Sequence, residues 1–227
     1  EHAMEPIPII LALLVMGCII AYAILDGRKR REMMSAYAKA KGYSYDPDKD
    51  RDMDDRYREL SCLCKGHSRF AHNIMRGQHN DRTLLAFDYH YATGHGKNRK
   101  THRFSAVILQ SPVPLKPLFI RREHAFDKVT EFFGADDIDF ESAEFSSKFY
   151  VKSPDKRWAY DVIHQRMMEY LLAAPQFGIE FDSGHIIAWK SKRFAAADFD
   201  AASELIEGIL ARMPDYLLEQ MQRSGDR

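Results

Sequence analysis

RTLLAFDYHYATG (82–94) and, after a short polar turn, KTHRFSAVILQS (100–111) decide the fold class of this chain. Aromatic, β-branched and other apolar residues alternate in both runs with polar ones. That period of two places one set of side chains on each face of a strand. The link TGHGKNRKTH (93–102) holds Gly94 and Gly96 and reads as a hairpin tip. HSRFAHNIMRG (67–77) and LKPLFIRRE (115–123) continue the pattern on either side, so four strands in an antiparallel meander are expected. Pro112, Pro114 and Pro117 interrupt the last link, and proline cannot donate a ladder hydrogen bond. SPVPLKP (111–117) is therefore expected to be an extended connection between the third and fourth strands.

Downstream, AFDKVTEFFG (125–134) predicts a short helix and AEFSSKFYVKS (143–153) a strand. SPDKRWAYDVIHQRMMEYLLAA (153–174) predicts one long helix, capped by Ser153 with Pro154 at its first position. Ala159, Ile163, Met167 and Tyr170 then form its inward stripe. IEFDSGHIIAWKS (179–191) predicts a hairpin turning at Ser183-Gly184, and DFDAASELIEGILARM (198–213) a final amphipathic helix halted by Pro214. The expected class is α+β, with a mainly antiparallel sheet packed by helices.

IPIILALLVMGCIIAYAIL (7–25) runs nineteen residues without a charge. As a helix it is about 28 Å long, the thickness of a bilayer's hydrocarbon core. A cleavable signal would carry basic residues ahead of a shorter apolar core. Here Glu1 and Glu5 precede the segment, with Met4 fitting a start position, while Arg28, Lys29, Arg30 and Arg31 follow it. The positive-inside rule then predicts a single-pass inner (cytoplasmic) membrane protein, N-terminus outside and C-terminal domain in the cytoplasm. The lipid bilayer is thus a partner through residues 7–25. The expected division is 1–27 anchor, 28–60 basic flank with a helical stalk and an acidic linker bearing a short helix, and 61–227 cytoplasmic α+β domain. A chain begun near Gly42 is expected to fold without the anchor.

FDYHY (87–91), THRFSAVILQSPVPLKPL (101–118) and DIDFESAEFSSKFYVKSPDKRWAYDVIHQRMMEYLL (137–172) resemble an uncharacterised family of bacterial membrane-anchored proteins. The resemblance covers roughly residues 37–172. It implies the anchored arrangement and supplies no activity, cofactor or site residue.

Composition narrows the function classes. Thirty-three basic residues against 33 acidic ones leave no basic surplus for nucleic acid. Three cysteines, one of them in the apolar segment, cannot build a secreted disulfide framework and suit a reducing compartment. SCLCKGHSRFAH (61–72) supplies Cys62, Cys64, His67 and His72 as candidate metal ligands. Residues two apart in a strand lie about 7 Å apart, whereas thiolates sharing a zinc approach within about 4 Å, so the site requires a bend at Lys65-Gly66. The favoured reading makes Cys62 and Cys64 small apolar residues where helix meets sheet.

Asp48, Asp50, Asp52 and Glu59 match positions of a calcium loop. Met53 stands where that loop needs glycine and Asp55 where it needs an apolar residue, so a short capped helix bearing Met53, Tyr57 and Leu60 is expected instead. Gly94 and Gly96 lack the spacing of a phosphate loop. Lys97, Arg99 and Lys100 make the hairpin tip a basic finger suited to anionic lipid or an acidic partner. Asp136, Asp137, Asp139, Glu141 and Glu144 are expected along a solvated acidic strand edge opposite Arg121 and Arg122. Neither a GxSxG elbow nor an HExxH pair occurs. The chain therefore reads as a membrane-anchored cytoplasmic binding module that needs no cofactor and engages a protein partner, with homo-oligomerisation left open. The alternative is a metal-dependent or Cys/His-based enzyme or sensor at the inner membrane.

Overall fold

The computed structural model describes residues 6–122 and 138–225. Among these residues eight strands form one sheet: β1 (Ser44–Asp46), β2 (His67–His79), β3 (Arg82–Thr93), β4 (Lys100–Gln110), β5 (Leu118–Arg122), β6 (Phe149–Lys152), β7 (Gly178–Phe181) and β8 (His185–Lys190). Their spatial order is β1-β2-β3-β4-β8-β7-β5-β6, and every neighbouring pair is antiparallel.

The period of two divides the core. Leu84, Ala86, Val107 and Leu109 face one way, towards helices, in the larger apolar cluster. Phe87, Tyr89, Phe104, Ala106 and Ile108 face the other way. That second face is closed by α2 (Met53–Arg56) and the loop after it, through Met53, Leu60, Cys62 and Leu63. Helix α6 (Ala196–Leu210) covers the first face with Phe199, Ala202, Leu205, Ile206 and Ile209.

Helix α1 spans Pro6–Lys41. Leu13, Ile19 and Leu25 on its apolar half are exposed, untouched by the domain. Among the described residues it is one helix long and apolar enough to cross a membrane. The same helix continues without a break into the folded domain, where Met34 and Ala38 are buried against the larger cluster. The expected boundary between linker and domain at residue 61 is thus displaced. The stalk is a core helix at its lower end, and Ser44–Asp46 is an edge strand on β2.

Four other expectations are corrected. The meander holds through β2-β3-β4, but β8 and β7 lie between β4 and β5. The proline-rich connection therefore crosses two strands, about 14 Å at the usual strand spacing, as an extended segment can. The first half of the expected strand 143–153 is helix α3 (Ala143–Lys148), capped by the Ser142 hydroxyl accepting from the Phe145 N–H. Helix α7 (Asp215–Gly225) follows Pro214, so that proline starts a helix as well as ending one.

The long helix over 153–174 is two, α4 (Lys156–Val162) and α5 (Gln165–Ala173), parted at Ile163-His164. Asp155, not Ser153, caps the first by accepting from the Trp158 N–H, while the Ser153 hydroxyl donates to the Pro117 carbonyl. Tertiary contacts override local propensity at the break: Ile163 is buried, and the His164 ring reaches the Arg212 carbonyl. The helix expected over 125–134 lies outside the described residues.

Ile163→Ala is expected to cost about 2–5 kcal/mol through lost burial and the cavity left behind. Asp161→Asn and His164→Gln each touch one surface hydrogen bond, to Tyr216 and to the Arg212 carbonyl. Those changes should cost about 1 kcal/mol or less. Denaturant melts of the three variants check the ordering.

Candidate functional site

The anchor is fastened to the domain by a buried ion pair. Arg30 stands four and eight residues before Met34 and Ala38, so the helix carries all three on its inward face. Its guanidinium forks onto Asp88 of β3, Nε to Oδ2 at 2.8 Å and Nη2 to Oδ1 at 2.5 Å, with side-chain exposures of 9% and 1%. Nη1 donates to the Phe194 carbonyl and Nη2 to the Ser105 hydroxyl. Asp88 also accepts from Ser105 and Asn73, and the Tyr45 hydroxyl donates to Asn73 in turn.

Asp88 and Ser105 are register partners, which is why both reach the same guanidinium. Burial pushes the Asp88 carboxyl up, but the Arg30 hydrogen bonds and charge, with Ser105 and Asn73, outweigh it and hold the pKa below the ordinary carboxylate value. Nearer the bilayer, Arg193 pairs with Asp26 at 2.9 Å. Farther down, the Tyr37 hydroxyl and Lys41 both meet Asp200 of α6.

This junction orients the sheet. From the level of Arg30 and Asp88, α1 descends until Ser44 pairs with Arg76, whose β3 partner is Leu85. Running β3 from Leu85 through Asp88 to Thr93 therefore leads back towards the membrane end. The starts of β4 and β7 and the ends of β5 and β8 lie at that same end through the antiparallel registers. There the strands border a cleft of about 920 Å³.

Seven Lys and Arg side chains line the cleft and, among the described residues, no Asp or Glu. Arg103 comes from β4, Arg121 and Arg122 from β5, Lys148 from α3, Lys190 from the end of β8, Lys192 from the segment after it, and Lys65 from the loop before β2. Lys148 and Lys190 are paired with Glu144 and Asp198. The floor is aromatic: Tyr91, Phe104, Phe177 and Trp189. Gly178 is the register partner of Trp189, and a Cβ there would stand 2.6 Å from the indole, so only glycine lets the ring lie across β7.

Cys62 touches the cleft from beneath and is buried, whereas Cys64 points its thiol at the Arg58 carbonyl. His67 sits at the hairpin end, stacked on His95 at 4.7 Å and bonded to the Gly94 carbonyl. His72 is half-buried on β2 beside Phe70. The four do not converge, and among the described residues no three His, Cys, Asp or Glu side chains form a metal-binding set. Burial, then the neighbouring Glu180, pushes the Cys62 thiol up, the opposite of what a thiolate ligand needs.

Other candidates also acquire local roles. Asp50 pairs with Arg56 and accepts from the Asp52 N–H, while Glu59 accepts from the Ser183 N–H, so the calcium pattern is divided between two sites. Asp139 and Glu141 are exposed on coil rather than strand, Glu144 pairs with Lys148, and Asp136 and Asp137 lie outside the described residues. Lys97, Arg99 and Lys100 are exposed on the hairpin tip at the membrane end. Arg28, Lys29 and Arg31 are exposed, so of the basic flank only Arg30 is drawn into the fold.

No protein-family model matches the chain, and no curated protein does. Among solved structures, the crystal structure of the mycobacterial trehalose monomycolate transport factor A, TtfA, superposes with a TM-score of 0.60 at 13% identity. The match covers 81% of this chain and 96% of that one. It shows a shared fold.

Two expectations follow. Asp88→Asn leaves the Arg30 charge buried without its counter-ion, which should cost about 3–5 kcal/mol, and a chain beginning at Gly42 should be less stable than one beginning at Gly27 by a similar amount. Urea unfolding of the fragments and the variant measures both. Glu180 is buried and accepts from the Cys62 N–H at 3.1 and 3.3 Å. Burial raises its pKa above the ordinary 4.5. The folded state therefore holds this proton more tightly than the unfolded chain, and the associated stability is lost as pH rises above the usual glutamate value. Glu180→Gln should gain on the wild type as pH rises above 4.5 in thermal melts; a flat difference would show a carboxyl ionising normally in the fold.

Proposed function

We propose that this chain is a non-catalytic docking platform on the cytoplasmic face of the inner membrane, held in one orientation for a protein partner of the same membrane. The observation that carries the reading is the Arg30 fork onto Asp88, Ser105 and Phe194. A domain acting on soluble substrate needs only a tether. A helix continuous from bilayer to core, closed by a buried ion pair, is useful where one particular face must be presented to the membrane. Arg28, Lys29 and Arg31 favour the cytoplasmic side. The name of TtfA, a transport factor, supports an accessory role beside a membrane transport assembly.

Inserting a flexible Gly-Ser stretch between Gly27 and Arg28 separates orientation from folding. The domain should melt as before, while cross-linking to its membrane partner and complementation of a deletion strain should be lost. Full complementation would reduce the anchor to a tether and overturn the reading. A reporter after Arg227 should be active in the cytoplasm, and periplasmic activity would overturn the orientation.

A further inference from the structure

The cleft at the membrane end of the sheet has a chemistry that the platform reading does not use. The chain as a whole is neutral, with 33 charges of each sign. Yet among the described residues all seven charged side chains lining the cleft are basic, above an aromatic floor, and Lys148 and Lys190 of them are paired with acids beside it, Glu144 and Asp198. Exposed cations on an ordinary surface alternate with acids; segregation of this kind focuses a positive potential into a concave, partly apolar site. Arg103 and Lys192 are exposed at its rim, and Lys65 holds its ammonium 4.9 Å above the Trp189 ring.

The floor adds a second feature. Trp189 is only 6% exposed and packs its indole against Gly178 of β7, with the Lys65 ammonium over the ring, so the cations stand above an apolar π surface.

Position narrows the ligand. Lys192 stands next to Arg193, which pairs with Asp26 at the end of the apolar segment, and its carbonyl accepts from the Ser105 N–H beside the Arg30 fork. The cleft is thus tied by two contacts to the place where α1 meets the bilayer.

Resting on the platform reading for its orientation, we propose that the cleft binds the headgroup of an anionic membrane phospholipid. Arg103, Lys192 and Lys65 hold the phosphate, and Tyr91, Phe104 and Trp189 receive the glycerol and first acyl carbons. Guanidinium and ammonium groups together suit a phosphate diester, and the aromatic floor would be wasted on a fully hydrated inorganic ion.

The test is a titration of the full chain in neutral detergent with dihexanoyl phosphatidylglycerol, read by tryptophan fluorescence and native mass spectrometry. Dihexanoyl phosphatidylcholine and inorganic phosphate are titrated in parallel. One phosphatidylglycerol should bind saturably, about tenfold or more tighter than either comparison, and Arg103→Glu with Lys192→Glu should weaken it by at least about tenfold without lowering the melting temperature. Equal binding of phosphatidylcholine, or undiminished affinity in the double variant, would overturn the site. Inorganic phosphate binding as tightly as the lipid would make it an oxyanion site for a soluble ligand and overturn the lipid assignment. Detergent removes any dependence on orientation, so the variant with the Gly-Ser insertion should titrate like the wild type. Failure of the lipid titration thus leaves the platform standing, and failure of the insertion experiment leaves the cleft standing.

Discussion

The contact between Arg30 and Asp88 is the constraint from which the arrangement follows. Neither charge could be taken out of water alone, because an unpaired buried ion costs several kcal/mol. Together, with Ser105, Asn73 and the Phe194 carbonyl as further partners, they are fully engaged. The pair commits four separate segments to one geometry: the lower anchor helix, the β2-β3-β4 meander, the residues after β8, and through Phe194 and Phe199 the start of α6. A hydrophobic substitute could be as stable, but it would slide more easily; the two-pronged fork admits one rotation of α1 against the sheet.

Much of this was legible in the chain because the signals are local. The apolar run 7–25, the alternation in 82–94 and 100–111, the glycine-bearing tip and the hairpin at Ser183-Gly184 each state their structure within about a dozen residues. What failed was non-local. Nothing in LKPLFIRRE says that two strands from the far end of the chain will enter between it and KTHRFSAVILQS. Likewise, the 153–174 run has an unbroken helical composition, and its interruption at Ile163-His164 depends on the Arg212 carbonyl some fifty residues later.

The sites divide in the same way. Arg30 could have been separated from its basic neighbours only weakly, since Met34 and Ala38 follow it at intervals of four but Met33, Ala36, Tyr37 and Ala40 share the stretch. The cleft could not. Its cations arrive in ones and twos on or just beyond the strands, Arg121-Arg122, Lys190, Lys192 and Arg103, and only the inserted order of β8 and β7 brings them together. The cysteine-histidine cluster, conspicuous on paper, is dispersed because a buried turn separates Cys62 and Cys64 and the strand carries His67 and His72 away.

The Arg30 fork also has a history along the chain. Asp88 lies 58 residues after Arg30 and the Phe194 carbonyl 164 residues after it. At about 5–20 residues per second, the carboxylate follows the arginine by about 3–12 s and the carbonyl by about 8–33 s. During that interval the arginine is an unpaired cation at the end of an apolar helix, still in water. The helix is therefore complete before the partners that lock it exist, and the junction closes only once the residues after β8 have been made.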